Sequence, residues 1–370
     1  MKKVTLFIFI IMLLLTSVIY ASEDTITTSG KASIVIDSAT GRILYKNNAN
    51  EKMPMASTTK IMTALLAIEN SHLDYVVKVP YEAQGIEGSS IYLKSDEEMK
   101  MIDLLYGLML RSGNDAATAI AIELGGSVEK FSELMNKRAK ELGATNTNFM
   151  NPHGLHHNQH YTTAHDLALI TKAALNEPIF KEIVKAKLHV ADRDINQYFS
   201  NKNKFLRLCE GGDGVKIGYT KKAGRCLVAS ATREEMQFIA VTLNDPNWFN
   251  TAKELIDKCF NNYTAFVQHE KGAILETVPV IEGKASEIQL VASKKVIIPL
   301  LTDEEGKLSS VMEVPDEIEA PIIKGQKIGK VYTYLNKQLL DVTDLVANDN
   351  IEVLTFKDKL LRFFKLSSNK

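Results

Sequence analysis

Ala56-Ser57-Thr58-Thr59-Lys60-Ile61-Met62-Thr63-Ala64 is the stretch on which the reading of this chain turns. Ser57-Thr58-Thr59-Lys60 opens a helix predicted over 57–69, whose apolar residues Ile61, Leu65, Leu66 and Ile68 recur at helical spacing. Three residues apart, Ser57 and Lys60 share one helix face, a turn from each other. A serine hydroxyl is a poor nucleophile until a base removes its proton. A lysine can be that base only when desolvation or a second cation lowers its pKa. At a helix N-terminus the backbone donors also favour negative charge developing at Ser57. Alone, Ser-x-x-Lys is a weak signal, because a capped and solvated helix start carries the same residues. Pro54-Met55-Ala56 before it and the apolar run after it would bury this helix, which strengthens the desolvation argument.

Two further elements answer to it. Ser112-Gly113-Asn114 stands between two apolar helices, in a loop able to project a hydroxyl and an amide into a cleft. Lys216-Ile217-Gly218 lies on a predicted strand and is followed by Tyr219 and Thr220. Lys216 would supply the second cation, and Gly218 would let a substrate approach the strand edge closely. Ser-x-x-Lys, Ser-x-Asn and Lys-Thr-Gly, in this order, form the set carried by penicillin-binding proteins and class A β-lactamases.

Around these motifs the elements fall into a pattern. Residues 31–37 and 42–46 read as a hairpin joined at Ser38-Ala39-Thr40-Gly41. Helices are predicted at 102–111, 114–124, 128–142, 164–176 and 250–261, and strands at 213–219, 225–232 and 236–243. Strands, then helices, then strands again imply an α+β domain, its sheet built from both ends with a helical insertion between them. After about residue 265 the pattern changes to short apolar runs at 273–281, 287–292, 295–300, 308–314 and 328–335, separated by turn residues. That is a small all-β domain, in which no catalytic constellation is visible.

Composition limits the alternatives. The 370 residues are 45% hydrophobic and 24% charged, which excludes wholesale disorder, collagen and coiled coil. A net charge of -1 argues against a dedicated nucleic-acid binder. Lys2 and Lys3, the apolar run from Val4 to about Tyr20, and Ala21 read as a secretory signal peptide, with an uncleaved anchor as the alternative. In 353–370, Val353, Phe356, Leu360, Phe363 and Phe364 share one helical face and Lys359, Arg362 and Lys365 the other. Such a basic amphipathic helix is the pattern for a membrane interface; packing on its own domain is the alternative. Cys209, Cys226 and Cys259 sit in apolar surroundings and read as buried thiols, with a Cys209–Cys226 bridge left open.

The chain resembles the serine-type D-alanyl-D-alanine carboxypeptidases, the low-molecular-mass penicillin-binding protein family, over about residues 29–350. The resemblance rests on 56–64, Gly88-Ser89-Ser90, Leu110-Arg111-Ser112-Gly113-Asn114-Asp115-Ala116, Asn151-Pro152-His153-Gly154-Leu155, Thr163-Ala164-His165-Asp166-Leu167-Ala168 and Gly214-Val215-Lys216-Ile217-Gly218-Tyr219-Thr220. It implies a catalytic domain of the serine β-lactamase and penicillin-binding-protein type (29–265) and a C-terminal β domain (266–352), preceded by the signal peptide read above (1–21) and followed by the membrane-surface helix (353–370), which also matches that family's layout. It implies an acyl-transfer enzyme with no cofactor and no metal, whose partners are peptidoglycan stem peptides and, as covalent inhibitors, β-lactams. It places the protein outside the cytoplasmic membrane, peripherally attached. Ser57 would attack the carbonyl between two terminal D-alanines, Lys60 accept its proton, Ser112 relay a proton to the leaving D-alanine and Asn114 hold Lys60. Lys216 would lower the Lys60 pKa and help bind the terminal carboxylate. Gly218, Tyr219 and Thr220 would line the substrate, with the N–H groups of Ser57 and Tyr219 as oxyanion hole.

Two departures from the family pattern stand out. Ile217 replaces the usual Thr or Ser, removing a hydrogen bond to a carboxylate worth roughly 1.5–3 kcal/mol, so weakened activity is expected unless Thr220 compensates. No arginine lies between Asn244 and Thr251, although Arg225 and Arg233 are near in sequence. Competing readings are less consistent with the residues. His153, His156, His157, His160 and His165 invite a zinc site, but no Cys joins them and no His-Glu-x-x-His helix exists. No Gly-x-Ser-x-Gly elbow supports a Ser-His-Asp hydrolase. A β-lactamase would need a Glu placed to activate the deacylating water, and none is apparent. A penicillin- or peptidoglycan-binding regulatory protein with weakened catalysis is the alternative that Ile217 leaves open.

Overall fold

The computed structural model describes residues 28–360. The signal-peptide segment 1–21 and the final residues of the expected amphipathic helix lie outside them.

Both ends of the first domain contribute to one sheet. β1 (Ala32–Asp37) and β2 (Ile43–Asn47) form the N-terminal hairpin; β3 (Gly212–Thr220), β4 (Gly224–Arg233) and β5 (Met236–Leu243) form a meander. The order is β2-β1-β5-β4-β3, antiparallel throughout, with Ala32 opposite Leu243. Strand alternation divides the core between two faces. Ile34, Ile36, Val228 and Val241 point to one side, where they pack with the helical insertion. Val35, Leu227, Ala229 and Ala240 point to the other, against α7 (Trp248–Asn262). The insertion holds α1 (Lys60–Asn70), α2 (Met101–Tyr106), α3 (Asn114–Gly125), α4 (Val128–Glu141), α5 (Ala164–Ala174) and α6 (Pro178–Lys185). α1 is apolar nearly all round and is buried from Lys60 to Ala67, as a helix in the middle of a domain must be.

This face division also explains the thiols. All three cysteines are free and buried; Cys226 belongs to the insertion side, Cys209 and Cys259 to the α7 side. The bridge left open between Cys209 and Cys226 would have to pass through the sheet.

From Thr264 to Ala347 the chain is built of strands, with one short 3-10 turn at Glu305–Lys307. Thr264–His269 pairs with Val296–Leu300, and a six-stranded sheet holds Ile274–Ile281, Glu287–Ala292, Leu308–Glu313, Ile318–Glu319, Lys327–Leu335 and Gln338–Ala347. The expected division at 265/266 falls inside the strand Thr264–His269. Arg42, from the β1–β2 turn, joins the two parts. Its guanidinium binds both oxygens of Glu304 at 2.6 and 2.7 Å, donates to the Pro299 carbonyl and lies 5.1 Å from the Tyr263 ring centre.

The expected helix at 353–370 begins later. Val353 is not on it; it forms an isolated antiparallel bridge with Gly283. Helix starts at Phe356, where Thr355 Oγ1 accepts from Asp358 N and Asp358 Oδ2 accepts from Thr355 N, a reciprocal cap that stops helix from extending backwards. Phe356 is 82% exposed, so its ring finds no core in its own domain. Among the described residues no helix is long and apolar enough to cross a membrane.

Candidate active site

The nucleophile turn is built by local hydrogen bonds. Ala56–Thr59 is a 3-10 turn running into α1, and Ala56 adopts a left-handed conformation (φ +49°), which an alanine takes only when its surroundings require it. Thr58 Oγ1 donates to Met55 O (2.6 Å), and Thr59 Oγ1 donates to Ala56 O (2.8 Å). His160 supports the second of these bonds. Its Nδ1 accepts from Met150 N, so its proton is on Nε2, which donates to Thr59 Oγ1 at 2.8 Å. Gly154 crosses directly over the turn. A Cβ there would lie 1.9 Å from the Ala56 carbonyl oxygen, so only glycine fits.

Lys60 is completely buried, and its Nζ has three neighbours: Asn114 Oδ1 at 2.6 Å, the His153 carbonyl at 2.6 Å and Ser57 Oγ at 3.2 Å. The carbonyl comes from the loop 151–155. Asn151 closes that loop, accepting from His153 N and Gly154 N and donating to Leu155 O, while Thr63 donates to Pro152 O. The Lys60 pKa is held well below the usual lysine value, first by burial and second by the charge of Lys216; Asp115 opposes the shift.

Asn114 opens α3 and is oriented by its backbone partners. Its N–H donates to Ser89 O (2.7 Å) and its side-chain NH2 to Glu87 O, which leaves Oδ1 for Lys60. Ser112 precedes it at the end of a π-helical turn, Gly107–Arg111, in a left-handed conformation (φ +65°). A wide turn of this kind commonly marks a functional position because it re-aims the residue that ends it. Among the described residues no hydrogen bond links Ser112 to Ser57, Lys60 or Lys216.

β3 is the sheet's free edge and runs past the nucleophile. Lys216 is 1% exposed, with Nζ donating to the Ile217 carbonyl at 2.9 Å; burial pushes its pKa down to about 7. Gly218 lies against the nucleophile turn, where a Cβ would meet Ser57 N at 2.8 Å and Thr58 N at 3.0 Å. Tyr219 is at the exposed end of the strand. Thr220 is committed to the hairpin turn, its Oγ1 accepting from Ala223 N at 3.0 Å. Ile217 packs with the apolar cluster on the α7 side, which includes Trp248 and Phe249. Arg225 donates to Pro246 O and lies 6.0 Å from the Trp248 ring centre, and Arg233 pairs with Asp257.

The histidines are engaged locally. His153 Nδ1 accepts from Leu155 N, His157 Nδ1 from Gln159 N, and both His160 nitrogens are used. Burial pushes His153 and His160 down to about 3, so both are neutral. Among the described residues no group of three or more His, Cys, Asp or Glu could hold a metal ion. The motifs named Ser57, Lys60, Asn114 and Lys216 in advance; they did not reveal that a backbone carbonyl of His153 pins Lys60, or that His160 braces Thr59. Asn151-Pro152-His153-Gly154-Leu155 carries a sequence signal only through the resemblance, with Pro152 and Gly154 marking a loop.

A partly exposed serine 3.2 Å from a fully buried lysine, between an antiparallel sheet and its helical insertion, defines a serine-type hydrolase of the penicillin-binding class. Residues 18–247 match the D-alanyl-D-alanine carboxypeptidase family, and residues 263–353 match the C-terminal domain of penicillin-binding protein 5. The chain is 33% identical to D-alanyl-D-alanine carboxypeptidase DacF of Bacillus subtilis, covering 95% of each protein. It is 33% identical to DacC of Escherichia coli, covering 90% of this chain and 88% of that one. Its structure matches that of penicillin binding protein 5 from Haemophilus influenzae with a TM-score of 0.68 and 28% identity, over 88% of this chain and 98% of that one. The chain belongs to the D-alanyl-D-alanine carboxypeptidase family.

Proposed function

We propose that the protein removes the terminal D-alanine from peptidoglycan stem peptides through an acyl-enzyme on Ser57, and that β-lactams acylate the same serine. The observation that carries this reading is the environment of Lys60. As a neutral amine it has two N–H bonds, which Asn114 Oδ1 and the His153 carbonyl take at 2.6 Å each. Its lone pair is then left for Ser57 Oγ, 3.2 Å away. Lys60 accepts the hydroxyl proton as Oγ attacks the carbonyl between the two D-alanines. The N–H groups of Ser57 and Tyr219 stabilise the oxyanion; losing one such donor typically costs roughly 10²–10³ in rate. Lys60 returns that proton to Ser112, which passes its own to the departing D-alanine nitrogen as the C–N bond breaks, leaving Lys60 a free amine again. Lys216 faces the substrate carboxylate. Water, deprotonated by the same base, then cleaves the ester and restores Ser57. Intact-mass measurement after exposure to penicillin should show one added penicillin on the wild type and none on Ser57→Ala. An adduct on Ser57→Ala would overturn the assignment.

The reading extends to the setting. The protein acts on the cell wall outside the cytoplasmic membrane, delivered by the segment 1–21. The β domain (266–352 with the strand that begins at Thr264) sets the catalytic domain above the membrane, and the helix that starts at Phe356 lies on its surface. The exposure of Phe356 and Leu360 supports the last point. Vesicles containing anionic lipid should bind the mature chain and lose it on truncation before Phe356; equal binding by both forms would remove the membrane role.

A further inference from the structure

Asp115 follows Asn114 in the first turn of α3, is 1% exposed, and has no part in the mechanism above. Its carboxylate is saturated with donors. Ile91 N reaches both oxygens (3.1 and 3.0 Å), and Leu93 N (3.0 Å) and the Ser90 hydroxyl (2.5 Å) reach Oδ2. The remaining bond, from Ala116 N, is within its own helix. Every donor from outside the helix belongs to the loop 87–93. Among the described residues no cation forms an ion pair with Asp115.

The same loop grips Asn114, through Ser89 O on its backbone N–H and Glu87 O on its side-chain NH2. Gly88 lies between them with φ +97°, and a Cβ there would be 2.8 Å from Asn114 Nδ2. A side-chain amide has two orientations of nearly equal shape and opposite hydrogen-bonding sense. Glu87 O can accept only from the NH2 side, so the loop selects the orientation that turns Oδ1 to Lys60. Asp115 in turn fixes the loop.

We infer that Asp115 is a positioning residue of this site: its buried carboxylate fastens the loop 87–93, the loop sets the Asn114 amide with its oxygen on Lys60, and Lys60 Nζ is thereby held against Ser57. The inference rests on the proposed role of Lys60 as proton acceptor. The charged and titratable groups acting there are Asp115 from α3, Lys216 from β3 and Lys202 from the segment before β3, with neutral His153 and His160 from the loop beneath. Asp115 is the anion among them, so removing its charge favours the free amine.

The test is Asp115→Asn in the otherwise native chain, assayed by D-alanine release from a synthetic N-acylated peptide ending in D-Ala-D-Ala. We expect kcat to fall at least about tenfold with KM within about twofold, because the loss lies in placing the base. The acidic limb of kcat/KM should move to lower pH, a shift that a loss of folded fraction alone would not produce. Ser90→Ala, which removes one loop bond and keeps the charge, should lower kcat less and leave that limb in place. A folded Asp115→Asn with wild-type kcat, a loss confined to KM, or an unmoved acidic limb would each overturn the inference. Should Asp115→Asn fail to fold, Gly88→Ala decides: it presses on the Asn114 amide with Asp115 intact, and wild-type kcat there rejects the coupling. Penicillin labelling run in parallel separates the two levels. An adduct on Ser57→Ala defeats the nucleophile assignment, whereas Ser57-dependent labelling with normal kcat in Asp115→Asn defeats this inference alone.

Discussion

Replacing Gly218 by alanine tests the proposed oxyanion hole through a displacement that the structure specifies. The new Cβ would lie 2.8 Å from Ser57 N, 3.0 Å from Thr58 N and 3.1 Å from Ala56 Cβ. None of these atoms can swing aside, since two are backbone and the third is fixed to it. Strand and turn must separate until ordinary contact begins near 3.4 Å, a movement of about 0.6 Å. Oxyanion donors work within roughly 2.7–3.1 Å of the oxygen they stabilise, a window narrower than that movement. One of the two N–H groups, on Ser57 or on Tyr219, is therefore lost, and kcat should fall by about 10²–10³. The extended backbone of β3 accepts alanine, so the thermal midpoint should change little by comparison. The assay is steady-state D-alanine release together with the rate of acylation by a fluorescent penicillin, with a melting curve on the same preparation. A folded Gly218→Ala enzyme retaining kcat within about threefold of wild type would refute the geometry argued here.

Two further outcomes are expected. His153 and His160 have pKa values pushed by burial from 6.5 to about 3. Between those values the unfolded chain binds protons that the folded chain rejects, so stability present above about pH 6.5 is lost as pH falls, by ~4 kcal/mol for the pair at pH 5. Urea midpoints at pH 7.5 and 5 measure this; equal midpoints would show that neither ring is held neutral. Ile217→Thr trades contact with the α7-side cluster for a hydroxyl at the free strand edge. Ile217 is only half-buried, so the stability cost should stay near ~1 kcal/mol, while kcat/KM for peptides with a free terminal carboxylate should rise up to about tenfold. No rise in D-alanine release would mean that the carboxylate is recognised elsewhere.

The five strands of the catalytic sheet and most helices of the insertion are legible because short apolar runs such as Ala32–Asp37 are bounded by turn residues, while longer ones such as Lys60–Asn70 keep apolar residues at helical spacing. What escaped has identifiable causes. Gln338–Ala347 lies between two strands of the six-stranded sheet, yet its Asp341 and Asp344, paired with Lys294 and Lys327 on opposite faces, make its sequence look polar. Thr264–His269 has little buried surface of its own and follows α7 directly, so the boundary expected from the sequence falls inside it. α6 is short; Pro178 at its first turn and buried Phe180, Ile183 and Val184 were too few residues to establish a period. At the site, the motifs revealed side chains that must be chemically distinctive. They could not reveal a carbonyl such as that of His153, since every residue carries one. Ile217 was weighed as a missing hydroxyl, and only the sheet's alternation shows that it also packs on the α7 side. Thr220, considered as a substitute, proves to be committed to its turn.

The site collects features that a stable protein otherwise avoids. Lys60 and Lys216 are both fully buried amines, and Ala56 and Ser112 both hold left-handed conformations. Strain of this kind costs on the order of 1–3 kcal/mol per residue, and an unpaired buried charge costs more. Ala56, Lys60 and Ser112 are each met by a feature with no chemistry of its own. Thr59 and His160 brace the Ala56 carbonyl, the loop 151–155 delivers an acceptor to Lys60, and the π-helical turn carries Ser112. All of these lie on the side of the sheet where the largest apolar cluster sits. The helical insertion therefore does more than cover the sheet. It is the packed mass that holds a lysine dry and fixed at 3.2 Å from a serine, and the chemistry proposed for Ser57 requires both conditions.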